Sequence, residues 1–140
     1  MLKYKTYIIL EVILIMAETN KQNLANSTLV IYQKYLDLVY YTNDLCKKYP
    51  KSERFALVQE IKQSLYSGLR TLMYAIKSYS KQEKLKHLNE FDIQLNLLKI
   101  YTRLSYKYQY ITMQNYSSWS KRITDICNML GGWIQSCLKR

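Results

Sequence analysis

The sequence predicts an all-α protein, an antiparallel up-down-up-down four-helix bundle, on three observations. Only 3 glycines and 1 proline occur among 140 residues, so the chain lacks the residues that many tight turns need. Apolar residues recur at three- and four-residue steps through four long segments. The breaks between these segments are short, which places consecutive helices antiparallel. Hydrophobic residues make up 49% of the chain, enough for the core of one domain.

The first two helices are predicted on either side of the single proline. The first runs from about Leu29 to Lys48 and ends before Pro50, because the residue ahead of a proline disfavours helical geometry. Pro50 then opens the second helix, from roughly Lys51 to Tyr79. Gly68 interrupts the apolar face of this helix at a cost of about 1 kcal/mol relative to alanine. We expect that glycine to let a neighbouring helix approach closely.

The third and fourth helices occupy the remainder of the chain. The third is predicted from about Gln82 to Tyr108, with its apolar face at helical spacing. Thr112 is the predicted N-cap of the fourth helix. The pair Gly131-Gly132 lies near the end of that helix, where we expect fraying or a kink.

Residues 1–26 are predicted to be an N-terminal extension, and residues 27–140 the bundle domain. The apolar run from Ile8 to Ile15 imitates a signal peptide, but Glu11 interrupts it. The run is also too short to span a bilayer, and no small-residue cleavage site follows it. We therefore predict Met16 as the true start. A membrane-anchored helical protein is the alternative, and it requires the upstream segment to be retained.

The charge balance indicates an anionic partner. The chain has 21 Lys and Arg against 10 Asp and Glu, a formal net charge of +11. Such a surplus draws a small domain toward phosphates or anionic membranes. The 3 cysteines lack CxxC spacing, which disfavours a zinc site or a disulfide framework. Cys127 and Cys137 are predicted to be buried structural thiols in a reducing cytoplasm.

No catalytic constellation is recognisable. The single histidine, His87, follows Lys86 and is predicted to lie on the surface. The closest acids, Glu90 and Asp92, are two apart on a helix and so point in different directions. Zinc-protease, nucleophile-elbow and phosphate-loop motifs are absent from the sequence. The sequence therefore predicts no enzyme, cofactor, metal or small-molecule substrate.

Two rows of basic residues predict a nucleic-acid-binding surface. One row has four-residue spacing on the third helix, and the other alternates with Tyr66 and Tyr74 on the second. Like charges at this spacing disfavour an isolated helix by a few tenths of a kcal/mol, and a bound anion would offset that repulsion. The tyrosines could stack on unpaired bases. The alternative is a solvated helix face with tyrosines in the core or an interface. The candidate binding residues in the two rows are Lys99, Arg103, Lys107, Lys62, Arg70 and Lys77.

Three stretches resemble motifs of a known bundle family. Residues 49–57, YPKSERFAL, are similar to its FPKSERF-L corner. Residues 125–133, DICNMLGGW, resemble its EI-RMLGGW ending, and residues 98–104, LKIYTRL, its LR-LLRL stretch. Over roughly Leu29 to Ser136 the chain thus resembles the accessory variability determinant (Avd) proteins of diversity-generating retroelements. These are related to the four-helix-bundle proteins encoded in ribosomal RNA intervening sequences.

The resemblance implies a homopentameric, barrel-like assembly with a basic surface. It also implies two partners: the reverse transcriptase of the element, and a nucleic acid that is its template RNA or a DNA. Together they carry out mutagenic cDNA synthesis, and the chemistry belongs to the polymerase. Lys99 and Arg103 fall where the family carries basic residues. Arg54 also matches the family motif. It is predicted either to bind nucleic acid or to form an ion pair at the corner between the first two helices. The alternatives are an intervening-sequence-type bundle protein and a structural homo-oligomer without a specific RNA role.

Overall fold

The computed structural model describes residues 6–11, 13 and 22–139. Within residues 22–139, the side chains are described from Thr28 onward. Four long helices account for most of this part of the chain, and residues 6–11 and 13 are also helical. A short 3₁₀ helix, Lys51–Glu53, lies in the first connection. The described residues contain no strand, and the predicted all-α class is confirmed. The long helices are α1 (Gln22–Cys46), α2 (Leu57–Lys77), α3 (Lys81–Lys107) and α4 (Met113–Leu138).

Each long helix packs against the next, and α4 returns to α1. The most extensive packing joins α2 to α3, across the short connection of residues 78–80. The predicted antiparallel four-helix bundle is confirmed. Its two other connections, residues 47–56 and 108–112, lie together at the opposite end of the bundle. We call that end the loop end.

Aromatic side chains join the helices across the core. Trp119 of α4 is fully buried, and its indole N–H donates to Thr42 Oγ1 of α1 over 3.0 Å. Tyr35 of α1 meets Phe91 of α3 edge to face, with ring centroids 5.1 Å apart. The buried Trp N–H and the ring pair fix α1 against both α3 and α4.

Gly68 of α2 faces side chains of both α1 and α3. A Cβ atom at this position would collide with the Tyr35 hydroxyl and lie 3.5 Å from Cβ of Gln94. The Tyr35 hydroxyl itself donates to the carbonyl of Leu65, one turn earlier on α2. The close approach expected at Gly68 is made by the end of the Tyr35 side chain of α1 rather than by the backbone of a neighbouring helix.

Helix ends agree with the sequence in α3 and α4 and differ in α1 and α2. The first helix begins at Gln22 rather than at about Leu29. Thr112 caps α4 as predicted, because its Oγ1 accepts from Asn115 N over 3.1 Å. The second helix begins at Leu57 rather than near Lys51, since Pro50, at ψ 145°, leads into the 3₁₀ helix instead. The Glu53 carboxylate then accepts from Leu57 N over 3.1 Å and satisfies a backbone donor in the first turn of α2.

Two expectations about the chain ends have different outcomes. The fourth helix continues through Gly131 and Gly132 to Leu138, so these residues do not end it. At the other terminus Ile8 is buried in the core, and Met16 lies outside the described residues. The domain boundary after residue 26 stays a prediction, although α1 already begins at Gln22. Among the residues that the structure describes, no helix is long and apolar enough to cross a bilayer.

Candidate nucleic-acid interface

The basic row of α3 begins in a seam and ends in solvent. Lys99 is half-buried against α4, where its ammonium group lies beside the Cys127 thiol. Arg103 and Lys107 are both exposed. A four-residue step turns about 40° past a full helical turn, so the row rotates away from α4. The two residues nearest the end of α3 are therefore the ones presented to a large ligand.

The Lys99 contact affects the neighbouring thiol. Partial burial raises the pKa of Cys127, and the nearby Lys99 ammonium opposes that rise. Burial also raises the pKa of Cys46, to about 11. All three cysteines are free thiols; Cys137 is buried as predicted, whereas Cys127 is only half-buried.

The row on α2 crosses the outer face of its helix obliquely. Lys62 lies near Cys46 of α1, and the Tyr66 hydroxyl accepts from Asn43 Nδ2 of α1 over 3.0 Å. Arg70, four residues after Tyr66, is exposed. Tyr74, four residues further on, stacks on His87 of α3, with ring centroids 5.2 Å apart. Both tyrosines thus have protein partners.

The two rows start at opposite seams of the bundle, so the structure does not bring them together. The α2 row begins beside α1, and the α3 row begins beside α4. Lys77 is exposed at the C-terminal end of α2. His87, predicted as a surface residue, is half-buried, and its Nδ1 lies 3.2 Å from the Glu90 carboxylate. The nucleic-acid role of all these basic residues stays a prediction.

Between the rows lies an apolar stripe that the sequence reasoning missed. Ile93 is 57% exposed and Ile100 is 48% exposed. Leu97 and Leu104 are half-buried beside them. Their three- and four-residue spacing puts them on one face of α3, opposite its core face. We call these four residues the outer α3 stripe. Its signal was present in the sequence as a second apolar periodicity within one helix.

A second group of charged residues was also missed, on the face between α1 and α4. Lys34 and Asp37 of α1 line an open pocket with Lys121, Arg122 and Asp125 of α4, together with Ser118. The Arg122 guanidinium lies 4.0 Å from the centroid of the Tyr41 ring, a cation–π arrangement. Two carboxylates here offset most of the positive charge. This face is therefore less suited to phosphate than the end of α3.

Acidic residues are missing from a long part of the sequence. None occurs between Asp92 and Asp125. This interval includes the second half of α3, the α3–α4 connection and the first half of α4. Arg103 and Lys107 lie within it. Their charges thus have no acidic neighbour along the chain within reach of an i, i+4 pair.

Glu53 and Tyr110 hold the loop end together. The Tyr110 hydroxyl donates to Glu53 Oε1 over 2.8 Å, and this hydrogen bond raises the pKa of Tyr110. The Tyr49 and Tyr110 rings lie 5.4 Å apart. Arg54 is exposed and makes no side-chain ion pair with a described residue. Glu53 therefore performs the corner role considered for Arg54.

The described side chains offer no group of three His, Cys, Asp or Glu residues placed to hold a metal ion. The basic rows and the outer α3 stripe are therefore the candidate binding features considered below.

Comparison with known proteins agrees with this architecture. No curated protein matches the chain. A solved structure of a protein of unknown function from the S23 ribosomal protein family of Bacteroides thetaiotaomicron has a TM-score of 0.72 at 22% identity. The match covers 78% of this chain and 98% of that one, and at this identity it shows the fold alone. The profile of the bAvd-like family matches residues 29–137, most of the chain. The chain belongs to the bAvd-like family.

Proposed function

We propose that this protein is an RNA-binding accessory subunit of a diversity-generating retroelement reverse transcriptase, acting in a reducing cytoplasm. Membership of the bAvd-like family supports the association with a reverse transcriptase. The net charge of +11 supports a nucleic-acid partner. The subunit supplies shape and charge, and the polymerase carries out mutagenic cDNA synthesis on the template.

The observation that carries the RNA part is the exposed basic end of α3, within a stretch of sequence that lacks acids. Arg103 and Lys107 project from the last turns of the helix. Cations on a helix face contact phosphate oxygens, which position RNA without reading its sequence. Each phosphate neutralised releases counterions, so the affinity must fall steeply with salt. Lys99, Lys62, Arg70, Lys77 and Arg54 are proposed to extend this contact.

The outer α3 stripe supports a homo-oligomer. Exposed Ile93 and Ile100 form a contiguous apolar surface with Leu97 and Leu104, and such surfaces mark interaction sites in proteins. A second copy packed on the stripe would remove these side chains from water. We propose a pentamer, the assembly that the family resemblance implies.

The test compares two double variants that change the net charge equally. Arg103→Glu with Lys107→Glu reverses charge at the end of α3. The control, Lys34→Glu with Lys121→Glu, reverses two exposed lysines on the balanced α1–α4 face. We expect the α3 variant to bind structured RNA at least about tenfold more weakly. Its slope of log affinity against log salt should shrink by about one for each phosphate that the protein no longer neutralises. The control should change the affinity less.

Equal decreases in the two variants would indicate a diffuse attraction and argue against an interface on α3. The second candidate function is a structural homo-oligomer, or an intervening-sequence-type bundle protein, without a specific RNA role. The outer α3 stripe favours it, since the stripe accounts for assembly without any nucleic acid. That candidate predicts an oligomer with no salt-sensitive affinity for RNA.

A further inference from the structure

The loop end exposes two aromatic rings that the core does not use. Phe55 is 83% exposed, in the connection between α1 and α2. Tyr108 is 56% exposed, at the start of the connection between α3 and α4. Phe55 has no polar atom that would favour contact with water. Placing it at the tip of a connection leaves a large apolar surface in solvent, which ordinarily marks an interaction site.

The two connections are tied to each other. Tyr110, two residues after Tyr108, donates to Glu53 Oε1 over 2.8 Å, and Glu53 lies two residues before Phe55. The rings of Tyr108 and Tyr110 are in contact, with centroids 5.8 Å apart. The exposed rings are therefore carried by two connections that are hydrogen-bonded to each other at the same end of the bundle.

Backbone geometry directs Tyr108 outward. Gln109 has φ 64°, a left-handed conformation that a residue with a Cβ adopts at some cost. Tyr110 N donates to Ser105 O over 2.9 Å and Gln109 N to Tyr106 O over 3.0 Å, the pattern of a Schellman C-cap. Glycine usually occupies the left-handed position of this cap. The turn leaves Tyr108 in solvent and points Tyr110 toward Glu53.

Basic residues lie close in sequence to both rings. Lys51 and Arg54 precede Phe55 in the first connection, and Lys107 precedes Tyr108; all three are exposed. Of the nearby acids, Glu53 is hydrogen-bonded to Tyr110 and Leu57 N, and Asp44 pairs with Lys47 over 3.4 Å. Glu60 is exposed in the first turn of α2. The loop end thus combines flat apolar surfaces with positive charge.

We propose that Phe55 and Tyr108 stack on unpaired bases of single-stranded RNA while Lys51, Arg54 and Lys107 contact its phosphates. This inference rests on the proposed RNA-binding function and assigns a separate role to the loop end. Every base has a π face, so stacking needs no particular sequence. Bases in a duplex already stack on each other and are not accessible to the two rings. The loop end therefore selects unpaired segments, whereas the α3 row binds phosphates of either form.

The test uses the full chain and two RNA probes, an unstructured single strand and a perfect duplex of the same sequence. The variant is Phe55→Ala with Tyr108→Ala, which removes both rings and keeps every charge. Its matched control is Tyr79→Ala, which removes an 81% exposed ring from the opposite end of the bundle. All three positions are exposed, and thermal melts followed by circular dichroism would show that the variants stay folded.

We expect the double variant to bind the single strand about tenfold to a hundredfold more weakly, as removal of stacking on one or two bases predicts. Binding of the duplex and the salt slope should stay within about twofold of the parent protein. Tyr79→Ala should leave both affinities unchanged. In the parent protein, 2-aminopurine in the single strand should change its fluorescence on binding, and the double variant should not produce that signal.

Equal single-strand affinities for parent and double variant would overturn the stacking role and leave the proposed function intact. Weaker binding confined to Tyr79→Ala would also overturn it, by moving stacking to the other end. A parent protein that binds neither probe would overturn the proposed function, and the stacking role with it. A double variant that no longer binds the reverse transcriptase, with RNA binding unchanged, would assign the rings to a protein partner instead.

Discussion

Helices α2 and α3 pack closely against each other, but they distribute their apolar residues differently. The apolar side chains of α2 face the core, and its outer face carries cations and two tyrosines. On α3 the core side chains are matched by a second set on the outside, headed by Ile93 and Ile100. The bundle therefore buries most of the apolar side chains of α2 and leaves a second apolar face of α3 partly exposed. The proposed assembly would thus place burial within one chain and contact between chains on opposite faces of the same helix.

The largest effect on stability is expected when a side chain is removed from the core face of α3 rather than from its outer face. Leu95→Ala removes a fully buried side chain and should lower the free energy of unfolding by about 2–5 kcal/mol. Ile93→Ala, two residues earlier on the outer face, should cost less than about 1 kcal/mol in the monomer. Urea unfolding at low protein concentration measures both. Similar decreases would mean that the outer face is part of the fold.

A smaller effect is expected on α2, where a single glycine decides the packing. Gly68→Ala places a Cβ against the Tyr35 hydroxyl, and we expect destabilisation by about 1–3 kcal/mol from overpacking. The matched control is Gly131→Ala on α4, where a Cβ meets nothing within 4 Å. At that position the higher helix propensity of alanine should raise the free energy of unfolding by about 0.5–1 kcal/mol. Thermal melts measure both variants. Melting temperatures that shift in the same direction for the two variants would contradict the predicted difference between Gly68 and Gly131.

The smallest effect on the stability of the monomer is expected from charge placed on the outer α3 stripe. Ile93→Glu with Ile100→Glu should dissociate the proposed oligomer while the helical circular dichroism stays nearly unchanged, because carboxylates resist burial in an apolar interface. Gln59→Glu with Gln63→Glu, at exposed positions of α2, adds the same charge and should leave the assembly intact. Light scattering gives both masses. An unchanged mass in the α3 variant would remove the stripe from the interface.

Local signals made much of the fold predictable. Four apolar periodicities separated by short breaks predicted the helices, Thr112 predicted its cap, and Gly68 predicted a close approach. The start of α2 was misplaced because it depends on a side-chain bond from Glu53 and on the extended ψ of Pro50. A sequence pattern contains neither quantity.

The candidate site was less predictable, because it depends on how the helices are rotated in the bundle. Lys99 and Arg103 look equivalent in sequence, yet Lys99 lies in the seam with α4 and Arg103 in solvent. The outer α3 stripe was missed because the first apolar face of α3 already accounted for a bundle helix. Phe55 and Tyr108 lie in connections, where periodicity gives no information on which side chains the tertiary contacts leave exposed.

The hydrogen bond from Tyr110 to Glu53 has a consequence for the order of folding. It joins residues 57 positions apart, with α2 and α3 lying between them. The α2–α3 hairpin needs only a short connection to form, whereas this contact closes a long loop and carries the larger entropic cost. The loop end is therefore expected to be completed late in folding. A chain in which this hydrogen bond holds the two connections together has already assembled its bundle, so nascent or partly folded copies are not expected to present Phe55 and Tyr108 at one end of the molecule.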